Sequence, residues 1–150
     1  MELISLSDGD NSFQVHVLGR RSPGLLHLHD RLDAEVLVTS SFVTGRLAMS
    51  LIPSDLEDWS RALDSLAAGQ EICWKDNDHS PEIRIQPHDE DHGSAVVRVE
   101  DLGASSASVS LPIKLDDGWI DQQRRLLELV RHQWPSEVLE ISAGAYQWRR

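Results

Sequence analysis

The stretch Ser54-Asp-Leu-Glu-Asp-Trp-Ser-Arg-Ala-Leu-Asp-Ser-Leu-Ala-Ala-Gly69 decides the fold, because the spacing of apolar residues changes there from alternation to a helical period. Ser54 and Glu57 have the spacing of a capping box, in which each side chain bonds the backbone of the other residue. Gly69 suits the position just after a helix. Four apolar residues recur at helical spacing: Leu56, Trp59, Leu63 and Leu66. The pattern predicts an amphipathic helix over residues 54–68.

Short segments of β-type pattern flank this helix on both sides. Phe13-Gln-Val-His-Val-Leu alternates apolar and polar residues, which is typical of a strand with one buried face. Three further strands are predicted before the helix, at residues 25–28, 34–40 and 42–51, where Gly45 marks a possible bulge or bend. Four are predicted after it, at residues 71–74, 82–85, 95–99 and 107–111.

A second helix is predicted over residues 117–134, with Asp116 or Asp117 as its N-cap and Pro135 ending it. Its apolar stripe comprises Trp119, Ile120, Leu126, Leu127, Val130 and Trp134. The order is then four strands, helix, four strands, helix. Because short turns join most neighbouring strands, the sheet is expected to be antiparallel. The sequence predicts an α+β fold: a strongly bent antiparallel sheet or open barrel of about eight strands, covered by the two helices.

Length and charge narrow the class of protein. At 150 residues the chain is expected to form a single domain, residues 1–150. A net charge of −11 repels phosphates and anionic lipids, so neither nucleic acid nor membrane is expected as a partner. A single cysteine, Cys73, excludes an internal disulfide and favours a cytoplasmic location. No segment has the form of a signal peptide or a membrane span.

Two histidines form the clearest candidate for a metal site. His27 and His29 would share a face of the predicted strand at 25–28, with Asp30 beside them. Zinc needs a third ligand, and His79, His88 or His92 is a source for one. The preferred interpretation is a solvated strand face without metal, and a small metal-dependent enzyme is the alternative.

Other catalytic chemistry receives little support from the sequence. Cys73 lies in a predicted strand, where burial would make its thiol inert. Asp30, Asp33 and Glu35 are close in sequence, but they are interpreted as polar residues of a strand face rather than as a pair of catalytic carboxylates. No nucleophile elbow and no phosphate-binding glycine loop occurs. No catalytic residue and no cofactor is therefore predicted.

Acidic turns and an aromatic C-terminus are the candidate binding surfaces. Asp89, Glu90 and Asp91, together with Asp76-Asn77-Asp78, are interpreted as solvated turns or as a negative surface for a basic partner. Asp76-Asn77-Asp78 lacks the glycine and terminal glutamate of a calcium-binding loop. Tyr146 and Trp148 are aromatic residues in a tail that would otherwise be polar, which indicates that the tail docks on the body or contacts a partner.

A family resemblance extends over nearly the whole chain. The sequence resembles an uncharacterised actinobacterial family of short acidic proteins, a domain of unknown function. Its layout is also distantly similar to that of the WapI-type immunity proteins, which neutralise a toxin made by the same bacterium. Neither resemblance implies catalytic residues. The segments that carry the first resemblance are Phe42-Val-Thr-Gly-Arg-Leu, Leu56-Glu-Asp-Trp59 with Leu63 and Leu66-Ala-Ala-Gly69, Ile72-Cys-Trp74, Asp117-Gly-Trp-Ile, Trp134-Pro-Ser-Glu-Val and Gly144-Ala-Tyr-Gln-Trp-Arg.

The expectation is a non-catalytic cytoplasmic binding protein of the immunity or antitoxin-like inhibitor type, with a basic protein as its partner. Asp89, Glu90, Asp91, Tyr146 and Trp148 are its candidate contact residues. Two alternatives remain open. One is the metal-dependent enzyme built on His27 and His29, and the other is a homo-oligomeric structural protein.

Overall fold

The computed structural model describes residues 1–75, 81–91 and 93–150. Within them the chain forms strands and helices in this order: β1 Glu2–Ser7, β2 Ser12–Arg20, β3 Leu32–Thr39, β4 Thr44–Leu51, α1 Pro53–Ala67, β5 Ile72–Trp74, β6 Glu82–Asp89, β7 Ser94–Glu100, β8 Ser108–Ile113, α2 Trp119–Gln133, β9 Val138–Ser142 and β10 Ala145–Trp148.

The strands form two four-stranded antiparallel sheets and one hairpin. Sheet A has the order β1-β2-β3-β4, sheet B the order β5-β6-β7-β8, and β9 pairs with β10. The predicted α+β class is confirmed. The structure does not show one bent sheet of about eight strands, because among the described residues β1–β8 divide into two four-stranded sheets with α1 between them in sequence. No closed barrel is seen in this part of the chain. Each strand pairs only with its neighbours in sequence, so each sheet is a simple meander.

The predicted strands before α1 differ from the structure at two places. Strand β1 was not predicted, because a bulge between Glu2 and Ile4 leaves both Leu3 and Ile4 buried and breaks the alternation. Residues 25–28 form turns rather than a strand. There the Leu28 N–H donates to Leu25 O at 2.8 Å, and the Arg31 N–H donates to Leu28 O at 3.1 Å.

Helix α1 begins at Pro53, one residue before the predicted start. Ile52 is its N-cap, and Asp55, rather than Glu57, reaches back to accept the Ile52 N–H at 2.9 Å. Only this half of a capping box forms, two residues before the predicted one, because the isoleucine side chain has no oxygen to accept a bond in return. Proline at the first helical position is compatible with this start, because its missing N–H would have no partner inside the helix.

A buried lysine fixes the first turn of α1. The Lys75 ammonium donates to Asp55 Oδ2 at 2.9 Å and to Ser50 O at 2.8 Å, while the Trp74 indole N–H donates to Asp55 O at 3.0 Å. The Lys75 side chain is only 4% exposed. These bonds attach α1 to the ends of β4 and β5.

Helix α2 is shorter than predicted at its N-terminus. It begins at Trp119, and Gly118, rather than Asp116 or Asp117, occupies the N-cap without a side-chain bond. Leu127 and Val130 are buried as the apolar stripe requires, and Trp119, Ile120 and Trp134 pack partly buried against the core. No helix in the described ranges is both long and apolar enough to cross a bilayer.

One contiguous cluster of buried side chains joins both sheets and both helices. Trp59 of α1 and Trp74 of β5 lie inside it with ring centroids 5.3 Å apart, which confirms that the core contains both. Cys73 lies between Ile72 and Trp74 but points to the opposite face and is exposed. The prediction that Cys73 is buried is therefore wrong, because residues two apart, not adjacent ones, share a strand face.

A glutamine of α2 covers the free edge of sheet A. Gln123 is fully buried, its Oε1 accepts the Ser5 N–H at 2.9 Å, and its Nε2 donates to Ser5 O at 2.9 Å. The side-chain amide thus takes the place of a neighbouring strand. This contact satisfies backbone groups that an edge strand would otherwise leave unpaired.

Candidate functional site

The C-terminal hairpin is attached to the loop of residues 21–31 through one carboxylate. Asp30 Oδ2 accepts hydrogen bonds from the Val138 N–H at 3.0 Å and the Ser136 hydroxyl at 3.1 Å. The Glu137 N–H is shared by both Asp30 oxygens at 3.0 and 3.1 Å. Asp30 therefore fixes three consecutive residues just before and at the start of β9.

Arg20 connects the same loop and hairpin from the end of β2. Its Nη1 donates to His29 O at 2.9 Å and to Asp30 Oδ1 at 3.1 Å. Its Nη2 donates to Pro135 O at 2.8 Å and to Glu137 Oε1 at 3.1 Å. The side chains of Arg20 and Asp30 are 11% and 10% exposed, so water competes little for this ion pair.

His29 is held in one orientation. Its Nδ1 accepts the Gly24 N–H at 2.8 Å, which requires that this nitrogen carry no proton. Its Nε2 lies 3.4 Å from Glu137 Oε2, within ion-pair distance but outside hydrogen-bonding geometry. The ring of Trp148 meets the imidazole edge-on with centroids 4.8 Å apart. His29 thus serves as a packing surface for the hairpin.

The strand predicted to direct His27 and His29 to one face does not form. His27 and His29 lie in a turn segment rather than a strand, so alternation does not direct both rings to one point. Asp30 is occupied by its hydrogen bonds to the hairpin. In residues 1–75, 81–91 and 93–150, no group of three His, Cys, Asp or Glu side chains is arranged to hold a metal ion.

A cavity of about 370 Å³ lies between this loop, the first turn of α1 and the hairpin. We call it the Arg31 cavity. Its wall comprises Leu26, His27, Asp30, Arg31, Ile52, Pro53, Ser54, Ser136, Val138, Glu140, Tyr146 and Arg149. Three elements that are distant in sequence therefore build one recess, and two arginines face it.

The structure separates the predicted contact residues into two groups. Tyr146 lines the Arg31 cavity, with its ring 6.5 Å from that of His27, and Trp148 packs on His29 while remaining 44% exposed. Asp89, Glu90 and Asp91 lie instead at the turn between β6 and β7 in sheet B.

The acidic turn is held by two local hydrogen bonds, one to the Asp89 side chain and one to its backbone carbonyl. Asp89 Oδ1 accepts the Asp91 N–H at 3.1 Å, and Asp89 O accepts the Gly93 N–H at 2.7 Å. Of the other candidates, Asp76, Asn77, Asp78, His79 and His92 lie outside the described residues.

The pKa of Asp30 predicts a specific dependence of stability on pH. Burial raises this pKa, but the bonds from the Glu137 and Val138 amides, the Ser136 hydroxyl and Arg20 outweigh burial, so the pKa lies below its ordinary value. A carboxyl with a lowered folded-state pKa stabilises the protein above its unfolded pKa of about 3.9 and loses this contribution as pH falls further.

We expect the difference in unfolding free energy between wild type and Asp30→Asn to be constant from about pH 5 to pH 7 and to shrink below about pH 4. Urea denaturation across that range measures it. Taking the difference removes the titration of the other carboxyls, which both proteins share. A difference that persists unchanged to about pH 3 would contradict the assignment of Asp30 as the titrating group.

Several residues of this site were not found from sequence. Arg20 and Arg31 belong to no motif, and Arg20 and its partner Glu137 are 117 residues apart. One signal was present: the Trp134-Pro-Ser-Glu-Val and Tyr146-Gln-Trp148 segments indicated a tail that is docked. That signal did not identify the loop on which it docks.

Comparison with known proteins gives a family and no activity. Residues 1–135 match the model of a family described as "Family of unknown function (DUF5959)". The match spans both sheets and both helices and ends before the hairpin β9–β10. No curated protein matches the chain.

Proposed function

The chain belongs to this family of unknown function, and we propose a function for it from the properties of its surface. In the proposal the chain is a non-catalytic binding protein that recognises a basic protein partner. In this proposal it acts in the bacterial cytoplasm as an inhibitor of the immunity or antitoxin type. The proposal extends the resemblance to the acidic actinobacterial family and to the WapI-type layout.

The observation that carries the proposal is a hairpin that is firmly attached yet exposes apolar side chains. Trp148 is 44% exposed and Ile141 is 60% exposed, although the Asp30 and Arg20 bonds hold the start of the hairpin in place. Leu25, next to the Gly24 that bonds His29, is 48% exposed. Tryptophan on a pre-organised element is a typical anchor of a protein interface, because little entropy is lost when it binds.

The polar residues near the hairpin support binding rather than catalysis. Asp30 and Arg20 direct their hydrogen-bonding groups at backbone and side-chain atoms of residues 135–138. A general acid, base or nucleophile needs a group that is free to reach a substrate. Asp30 and Arg20 are instead engaged in the bonds that hold the hairpin in place.

Charge supports a basic partner. A net charge of −11 accelerates association with a positively charged protein, and this acceleration weakens as salt screens it. Asp89, Glu90 and Asp91 add a local concentration of negative charge at an exposed turn of sheet B. In the proposal these three residues steer the encounter, while the hairpin supplies the short-range contacts.

Affinity capture from a lysate of an organism that encodes the chain tests this function. We expect the wild type to retain a basic protein at low salt and to release it at high salt. Trp148→Ser should abolish the capture by removing an aromatic anchor. Leu129→Ser is the matched control, because Leu129 is likewise an exposed apolar residue, 55% accessible, but lies on α2.

Two outcomes would contradict the proposal: capture that Trp148→Ser leaves intact, or capture that is equally strong at low and high salt. Triple neutralisation of Asp89, Glu90 and Asp91 separates the two roles. It should slow association and leave dissociation unchanged, because charges at the edge of an interface act mainly on the rate of encounter.

The remaining alternatives are open to direct measurement. Light scattering during gel filtration reports whether the chain is a homo-oligomer. Metal analysis of the purified protein addresses the metal-dependent enzyme. Among residues 1–75, 81–91 and 93–150, the turn that carries His27 and His29 brings no third ligand to them.

A further inference from the structure

We propose that the Arg31 cavity binds a small organic anion, through a carboxylate or phosphate group placed against Arg31 and Arg149. This site is distinct from the surface proposed for the protein partner. Val138 and Tyr146 of the hairpin line the cavity, whereas Ile141 and Trp148, the exposed apolar residues of the proposed partner surface, do not. The proposed ligand is also an anion, whereas the proposed protein partner is basic.

The first argument is a buried donor without an acceptor. The Nε of Arg31 is inaccessible to water and has no hydrogen-bond partner. Leaving such a charged donor unsatisfied is costly, because it loses its hydration without compensation. Other arginines in the chain pair with carboxylates, as Arg20 does with Asp30 and Arg124 with Asp64. Within the described residues neither Arg31 nor Arg149 forms an ion pair.

The second argument is that neither acidic residue of the wall, Asp30 or Glu140, forms an ion pair with Arg31 or Arg149 among the described residues. Asp30 is saturated by Arg20 and by donors from residues 136–138. Glu140 bonds the Gly144 N–H within its own hairpin, at 3.4 Å. The guanidinium nitrogens of Arg149, and those of Arg31 other than its buried Nε, therefore remain available to an anion from solution. Guanidinium binds carboxylate and phosphate oxygens in a bidentate manner.

The third argument comes from the first turn of α1. Pro53 and Ser54 stand in the cavity wall, so the positive end of a 15-residue helix contributes to the recess. This end adds to the field of the two arginines rather than forming the site alone. Of the two acidic residues that share this wall with Arg31 and Arg149, Asp30 is already paired with Arg20, which leaves Glu140.

Size and lining indicate an organic ligand rather than a bare ion. A cavity of about 370 Å³ lies in the range of small-molecule sites. Leu26, Ile52, Val138 and the Tyr146 ring supply apolar surface beside the arginines. A ligand with an aromatic or aliphatic body and one anionic group would use both.

Titration of the full-length protein with phenyl phosphate and benzoate, followed by amide chemical shifts, tests the proposal. Benzyl alcohol is the uncharged control. We expect saturable shifts at the cavity residues at millimolar concentrations of an anion and none with the alcohol. Tighter binding of phenyl phosphate assigns a phosphate ligand, and tighter binding of benzoate a carboxylate ligand.

Arg31→Gln and Arg149→Gln should each weaken binding about tenfold or more, because each removes a charge-assisted contact. Arg125→Gln removes the same charge from an exposed position on α2 and should leave the affinity unchanged. Because Arg149 is exposed, Arg149→Gln is expected to fold normally. It therefore tests the proposal even if Arg31→Gln does not fold. Absence of saturable shifts with both anions, or equal affinity in the Arg149 and Arg125 variants, would overturn the proposal.

Discussion

Replacing Asp30 with asparagine is expected to lower the free energy of unfolding by about 3 kcal/mol and to release the C-terminal hairpin. Four groups donate to the carboxylate: the Arg20 guanidinium, the Ser136 hydroxyl and the amides of Glu137 and Val138. Asparagine keeps one acceptor oxygen and places an NH₂ group where the other oxygen was. Donors that now bond the replaced oxygen would then face the NH₂ group of asparagine. The largely buried guanidinium of Arg20 would also lose the negative charge of Asp30.

Two measurements check this expectation. Urea denaturation gives the loss of stability, and hydrogen exchange at Val138 reports whether the hairpin has been released. Asp33→Asn is the control, because Asp33 also pairs with an arginine, Arg21, at 3.8 Å, but its side chain is 44% exposed. An exposed pair contributes at most about 1 kcal/mol. If the two variants lost equal stability, Asp30 would be no more than another surface carboxylate.

Replacing Gln123 with leucine is expected to cost about 2–3 kcal/mol, even though leucine is apolar and the site is buried. The substitution removes both bonds to Ser5 and leaves its N–H and C=O facing a hydrocarbon side chain. Leucine adds favourable apolar burial, but that gain does not replace hydrogen bonds to two backbone groups cut off from water.

Gln122→Leu is the matched control, because Gln122 is adjacent on α2 and exposed. Its effect should stay within about 0.5 kcal/mol. The amide of Ser5 supplies a local readout: its hydrogen exchange should accelerate in Gln123→Leu more than that of the paired strand β2. An unchanged stability with undisturbed Ser5 protection would show that β1 does not depend on this contact.

The two helices could be predicted within a few residues because their signal is local. A helical period over Leu56, Trp59 and Leu63 requires no knowledge of the rest of the chain. The same kind of reasoning failed at residues 25–28, where leucines in successive turns resembled a strand. It failed again at β1, where one bulge was enough to disrupt the alternation. The division into two sheets was not predictable, because alternation shows that a strand has a buried face but not which sheet it joins.

The site was predicted only in outline. Tyr146, Trp148, His27, His29 and Asp30 were all singled out, and the structure brings them into one region, but not as a metal site. Their partners could not be found from local patterns. Asp30 meets Glu137 and Val138 across separations of 107 and 108 residues. Gln123 likewise appeared to be an ordinary polar residue of a helix, since its role depends on an edge strand 118 residues away.

The meander topology has a consequence for the order of folding. Every strand in sheets A and B pairs with its immediate neighbour in sequence, so the strand pairings have short sequence separations. Each sheet can therefore form as soon as its own strands have been synthesised. The loop carrying Asp30 and Arg31 is different, since Asp30 meets its partners Glu137 and Val138 across 107 and 108 residues. Sheet A is therefore expected to form before the hairpin docks on this loop, and the Arg31 cavity is enclosed only once that docking has occurred.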